Sequence, residues 1–468
     1  MHFRGTGCIK YVPAYCYNIN FLRKETEKPM KKALSLVLAV LFIFSSLSVV
    51  GLAEDETYDL RVGTVTVDPS NKGDILSDGT ASFDEASNTL TLKNACLTAY
   101  APAVSPDPAA YVYYSGKEDL HIKLLGENKI TGSDPDTDPL PDPVPHGIFS
   151  ADPDADILFE GDGCLLIEGA VADGVSSNGG IKADGQKFVI KTETMGLHAM
   201  YGPLVIEGKT FLDIDSMNGI YNRYESITIG DGKIRILCSR YGIYCGKESK
   251  DSHVITVSGG DIVIKEKAES YNPVFVGKDI TISGGRIFTR SHWGLWSNGT
   301  IHVTGGYINM KAKEDGLLQT GENNNIFITG GTLILETEKG NAFSYIEKST
   351  DPATYPAQKP ILDGYENVSI DYGSDFGHLK KGQDLESAEE DRYWESQVVI
   401  IRAKNDPQPK PRNKVVIEIG SKSEELPEET ESNPDTGAPI PGISRTAVLA
   451  AEFLGNVLCG FAFQFHFV

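Results

Sequence analysis

Along the middle of the chain, apolar and polar residues alternate in short runs that are interrupted by glycine pairs. The chain reads ITIGDGKIRIL from Ile227, ITVSGGDIVIK from Ile255, ITISGGRIFTR from Ile280, IHVTGGYINMK from Ile301 and IFITGGTLILE from Ile326. These starts are spaced 21 to 28 residues apart. Weaker copies stand upstream, ILFEGDGCLLIEG from Ile157 and LVIEGKTFLDID from Leu204. Before each glycine pair, Ile255/Val257, Ile280/Ile282, Ile301/Val303 and Ile326/Ile328 share one face. After it, Ile262/Ile264, Ile287/Thr289, Ile308/Met310 and Leu333/Leu335 resume the apolar register. A period of two over such lengths predicts half-buried strands. Glycine between them supplies the backbone angles of a sharp bend.

A third short apolar segment closes each unit: Gly219-Ile220, Gly242-Ile243, Gly294-Leu295 and Gly316-Leu317, with earlier copies at Gly174-Val175 and Gly196-Leu197. Three short strands and three turns per unit predict one coil of a solenoid. The fold class read from this pattern is all-β, a right-handed parallel β-helix with three short strands per coil, similar to the pectate-lyase solenoid. A propeller blade needs about 40 residues, and a β-sandwich has no reason to repeat its glycine corner. The expected domain covers 54–403. Its opening unit TASFDEASNTLTLKNA from Thr80 reads as a hairpin-like cap, and a closing strand Gln397–Arg402 follows a less regular capping segment. Solenoid ends must be covered or they pair with other chains.

The two ends of the chain suggest export. Met30-Lys31-Lys32, the apolar run Ala33 to Val50 and Gly51-Leu52-Ala53 match a signal peptide over 30–53, which makes 1–29 a gene-model extension. From 404 to 444 the chain turns rich in Pro, Glu, Ser and Lys, a composition that cannot bury enough apolar surface to fold and reads as a disordered stalk. Asn433-Pro434-Asp435-Thr436-Gly437 and the apolar tail 445–468 resemble a sortase cell-wall sorting signal. That resemblance implies cleavage between Thr436 and Gly437 and attachment to peptidoglycan. Asn433 stands where the usual leading Leu would be, and the chain ends in Phe467-Val468 with no basic cluster. The expected location is extracellular, at the cell surface and wall-anchored.

Charge narrows the partners. With 65 Asp and Glu against 43 Lys and Arg, the formal net charge is −22, and such a chain is repelled by phosphate backbones. Nucleic acid is therefore not an expected partner. The five of seven cysteines that follow the proposed cleavage site, Cys96, Cys164, Cys238, Cys245 and Cys459, show no CxxC pair and no regular framework. They read as small buried hydrophobes, although the spacing of Cys238 and Cys245 also allows a bridge.

Three side-chain patterns are candidates for chemistry. The residue after the third-strand apolar position is His198, Tyr221, Tyr244 and Trp296, with Phe275 or Val276 in the intervening unit. If the apolar positions face in, these face out and stack into an aromatic ladder on which sugar rings could lie. Trp293 joins this group, and Tyr201, Tyr224 and Tyr241 are near in sequence. The plainer reading is that the rings only cover the outer sheet. A basic column, Lys265, Arg290 and Lys311, ends at Glu336 and suits an anionic polymer such as a uronic acid chain or teichoic acid, or else is a solvated face. Alternating carboxylates, Asp134/Asp136/Asp138 and Asp152/Asp154/Asp156, have the oxygen chemistry of Ca²⁺. Neither run completes an EF-hand, because Ile157 stands at the glycine position and Gly163 at the glutamate position. No cofactor is expected beyond such a calcium ion.

The opening YDLRVGTVTV…DILSDGTASFDEASNTLTLKNA, the GIY-like corners, the repeated ITISGG and the closing strand resemble a family of secreted Gram-positive β-helix proteins. That family is commonly labelled carbohydrate-binding and often bears sorting signals. The resemblance implies fold and location, and it implies extracellular polysaccharide as the partner. No family catalytic motif carries over. Two rival readings stand beside polysaccharide binding. One is an adhesin or structural protein that binds a host surface protein. The other is a polysaccharide lyase or glycoside hydrolase, which needs converging carboxylates or a base beside Ca²⁺. Asp213 and Asp215 share one strand face, but no adjacent units place acids at matching outward positions. The expectation is a non-catalytic binder.

Overall fold

The computed structural model describes residues 57–404 apart from 104–107, 134–142, 247–252, 268–271, 321–325, 347–355 and 366, together with 413–419 and 422–428. The signal peptide, the first acidic run, the sorting motif and the apolar tail lie outside the described residues.

The alternating runs do form strands, and they stack in parallel as a β-solenoid. Each coil contributes a first strand before the glycine corner, a second after it and a third at the Gly-aliphatic segment. In the coil of the ITVSGG repeat these are Val254–Val257, Asp261–Glu266 and Pro273–Gly277. Register is held from coil to coil. Leu120, Ile157, Ile181, Leu204, Ile227, Ile255, Ile280, Ile301 and Ile326 form one inward column on the first face. All are at most 1% exposed. On the third face Val175, Leu197, Ile220, Ile243, Phe275, Leu295 and Leu317 continue a matching column. Side-chain period two and fixed register together build the core, since a slip of one residue would turn every aliphatic outward.

The two corner glycines are required for different reasons. Gly260 has φ +85°, a left-handed angle that an L side chain rarely adopts. Gly259 needs no such angle, but a Cβ placed there would sit 2.1 Å from the carbonyl oxygen of Gly230 in the coil below. One glycine makes the bend and the other lets the coils approach. In the repeats from Ile301 and Ile326 the chain passes the corner as a continuous strand, Ile301–Ala312 and Ile326–Thr337, with a register shift at Thr304.

Antiparallel strands close both ends. Ala81–Asp84 pairs antiparallel with Thr89–Lys93, which then joins Leu120–Leu125 in parallel. Leu60–Val62 runs antiparallel to Ala110–Tyr114 on the third face. At the far end Val398–Ala403 lies antiparallel to both Ile326–Thr337 and Val368–Gly373. The irregular segment between them includes one short α-helix, Leu385–Glu390, N-capped by the Asp384 carboxylate on the Ser387 amide, and two 3-10 turns. Arg402 and Asp371 form a buried ion pair at 2.8 Å across this cap. Within the stretch expected to be a stalk, Asn413–Ile419 and Lys422–Glu428 pair as an antiparallel hairpin.

Candidate functional site

The outward column of the third face is in register as the sequence implied: Ser176, His198, Tyr221, Tyr244, Val276, Trp296 and Leu318 are successive partners. Val276, rather than Phe275, takes the intervening outward position, while Phe275 is fully buried. Upstream the same column begins with Arg61, Tyr113 and Phe149. The Arg61 guanidinium lies 4.1 Å from the centre of the Tyr113 ring, and Tyr113 stacks on Phe149 at 6.1 Å. Sequence reasoning missed this pair. The Gly147-Ile148-Phe149 copy of the Gly-Ile-aromatic pattern was the available signal.

Stacking decides what the column offers. The Tyr221 and Tyr244 rings are 4.5 Å apart and within 8° of parallel, and His198 meets Tyr221 edge-on at 5.4 Å. Rings that stack along the solenoid axis cover one another's faces, so their edges point to solvent. The stack covers one face of each ring, so no sugar ring can lie between Tyr221 and Tyr244.

Two aromatic pairs recur at a spacing of three, Tyr241–Tyr244 at 4.9 Å and Trp293–Trp296 at 6.2 Å. In a regular strand residues i and i+3 point to opposite faces. Tyr241 precedes the strand Ile243–Cys245 and Trp293 opens the strand Trp293–Ser297, and in both sequences the two rings come together across the Gly-aliphatic step. A Cβ on Gly242 would meet the Ile264 Cγ2 at 2.5 Å. Val276, which is 4% exposed, separates the tyrosine group from the tryptophan group.

Tyr201 and Tyr224 form a further stack, 5.0 Å apart and within 16° of parallel, in the turns that follow the third strands. The Arg223 guanidinium lies 5.2 Å from the Tyr224 ring centre. Tyr201 is 53% exposed. With one face on Tyr224, its ring still remains about half exposed. The sequence alone shows these two residues only as neighbours of the ladder. The turn stacking depends on the coil-to-coil register, which no local pattern displays.

A buried polar knot adjoins the column. The His198 Nδ1 is 3.0 Å from the Asp173 Oδ2 and 3.3 Å from the Ser176 Oγ, Thr194 donates its hydroxyl to Asp173, and the His146 Nδ1 lies 3.5 Å from the same carboxylate. Burial pushes Asp173 upward, but the His198 hydrogen bond and the fields of both histidines outweigh it and hold the carboxyl below its ordinary value. Burial pushes His146 down. Ser176 and Asp173 address the same ring nitrogen. A nucleophile–base–orienter relay needs opposite nitrogens, so the knot orients His198 and does not activate Ser176.

On the second face the basic column is also in register, with Lys265, Arg290, Lys311 and Glu336 as successive partners. Lys311 donates to Glu336 at 2.6 Å. Lys265, Arg290 and Lys311 line a groove of about 340 Å³ with Lys267 and Lys313, and Glu266 and Glu338 share its walls.

The remaining acids have local duties. The Asp152 carboxylate accepts from the Asp154 amide, and the Asp156 carboxylate accepts from the Gly180 amide, so both cap backbone N–H groups. No set of three His, Cys, Asp or Glu side chains converges as a metal site among the described residues. Asp215 is paired with Lys267, and burial raises Asp213. Cys238 and Cys245 are buried free thiols, not a bridge, and burial pushes each up to about 12.

A family model described as carbohydrate-binding domain-containing protein matches residues 63–342. No curated protein and no solved structure matches the chain.

Proposed function

Because the chain belongs to the carbohydrate-binding domain-containing family, we propose that its third face binds an extracellular polysaccharide without cleaving it. The open ring of Tyr201, backed by Tyr224 and Arg223, carries this reading: it offers an apolar face to a sugar ring and a polar neighbour to its hydroxyls. The edges and hydroxyls of Tyr221, Tyr244 and Tyr241 extend the contact along the axis, with His198 held in place at one end by Asp173. Trp293 and Trp296 form a second contact beyond Val276. Wall anchoring through Thr436 and export through the segment 30–53 are part of the same proposal, and they place the binding face outside the cell.

Native electrophoresis of residues 54–404 through gels cast with neutral polysaccharides tests the reading. Retardation that Tyr201→Ala and Tyr224→Ala abolish, with the polymer left intact, supports it. Cleared zones in the stained gel would identify an enzyme instead. Unretarded migration through a broad panel would favour adhesion to a host surface protein.

A further inference from the structure

The groove on the second face is chemically distinct from the aromatic face, and the reading above does not use it. We propose that it is a separate site for a polyuronate, a linear chain of sugar acids lying along the solenoid axis. The chain as a whole carries a net charge of −22. Within the groove the sign reverses, since five cations, Lys265, Lys267, Arg290, Lys311 and Lys313, face two acids, Glu266 and Glu338. A concave cluster of one sign focuses its field on an approaching counter-charge.

Spacing chooses among polyanions. Lys265, Arg290 and Lys311 are register partners, one cation per coil, so their backbones repeat at the coil spacing of about 4.8 Å. A polyuronate carries one carboxylate per sugar, and the rise of a sugar in an extended chain is comparable with that spacing. Polymers that carry one charge per longer repeat would leave alternate cations unmatched. Arg290 sits in the middle of the column, and its planar guanidinium can grip a carboxylate with two parallel hydrogen bonds.

Two ion pairs that involve groove cations leave room for such a ligand. Lys311–Glu336 and Lys267–Asp215 are partly solvent-exposed pairs, and each cation is more than a third exposed. Ion pairs of that kind contribute little and exchange readily for a multivalent partner. The groove adjoins the Trp293 strand through Ser291 and His292, and the His292 amide donates to the Glu266 carboxylate, which fixes one wall.

The test compares polygalacturonate with its fully methyl-esterified form, which keeps the backbone and removes the charge. Residues 54–404 migrate through native gels that contain one or the other at low salt. The expected result is retardation by the acid form alone. Arg290→Glu with Lys311→Glu should weaken binding at least about ten-fold. The charge-matched control Lys123→Glu with Lys381→Glu, outside the groove, should retain it. The same comparison is run in a Tyr201→Ala background, which removes the aromatic anchor, so this site and the aromatic face fail separately. Equal retardation by both forms, equal loss in the control, or tighter binding of inorganic polyphosphate than of polygalacturonate would each overturn the assignment. Circular dichroism melts of each variant confirm that a loss of binding is not a loss of fold.

Discussion

Tyr221 and Tyr244 lie one coil apart with ring centres separated by 4.5 Å and planes within 8° of parallel. Their β-strand register fixes this distance, since Tyr221 and Tyr244 are direct partners in a parallel ladder. The stack is thus part of the scaffold as well as part of its surface. Aromatic pairs contribute about 0.5–1.5 kcal/mol beyond the area they bury. A double-mutant cycle with Tyr221→Leu and Tyr244→Leu in urea unfolding should return a coupling of about 1 kcal/mol. Coupling near zero would mean that the rings do not support each other. In the polysaccharide assay Tyr201→Ala should cost more than Tyr244→Leu, because Tyr201 is the more exposed ring.

The glycines separate two costs that usually occur together. Gly185 has φ +98° and nothing within 4 Å of an added Cβ, so Gly185→Ala carries only the backbone penalty of about 1–2 kcal/mol. Gly285 has φ +78°, and its Cβ would lie 2.5 Å from the Gly259 carbonyl oxygen. Gly285→Ala should add a packing cost of about 1–3 kcal/mol to the same penalty. Chemical denaturation of the two variants measures the difference, and equal losses would show that coil stacking yields without cost.

The buried pair at the far cap sets a third expectation. Arg402 and Asp371 each have side chains only 2% exposed, and Asp371 also accepts from the Gly382 amide. Removing one partner of a buried ion pair typically costs about 3–5 kcal/mol, because the other charge is left without compensation. Arg402→Met should fall in that range by urea unfolding. It should also loosen Val398–Ala403 from Ile326–Thr337 and so expose a strand edge. Sedimentation should then reveal concentration-dependent association, whereas a monomer at all concentrations would show that the edge stays covered.

Acid should weaken the fold in two windows. His146 is held below its ordinary 6.5 by burial. The unfolded chain therefore takes up this proton first, and stability falls as pH drops through about 6.5 toward the lower folded value. Asp173 is held below its ordinary 3.8 in the fold. Its contribution is complete above that value and is lost as pH falls beneath it. Urea midpoints measured between pH 8 and pH 5 should decline for the wild type and decline less for His146→Gln. Identical slopes would remove His146 from the account.

Much of the architecture was legible in the sequence because solenoid coils repeat their physics. Ile255, Ile280, Ile301 and Ile326 each stand two residues before an equivalent aliphatic and four before a glycine pair, so one local rule displays strand, corner and inward face. The outward columns followed by alternation, and His198, Tyr221, Tyr244 and Trp296 fall on one line as do Lys265, Arg290 and Lys311. Ring orientation was not legible. Whether Tyr221 shows its face or its edge depends on contact with Tyr244, 23 residues away. The Tyr201–Tyr224 stack was hidden for the same reason, since turns carry no period. The roles of Asp152 and Asp156 depend on amides that the turn geometry alone brings within reach.

Val276 interrupts the aromatic line between Tyr244 and Trp296, two coils or about 10 Å along the axis. On the proposed binding mode, the surface then holds two anchor points on one rigid rod. A glycan long enough to reach both engages the second without a new diffusional encounter, at an effective concentration set by the span. A shorter oligosaccharide engages only one. Discrimination by chain length would then come from the placement of a single small aliphatic side chain, with no pocket measuring the ligand's ends.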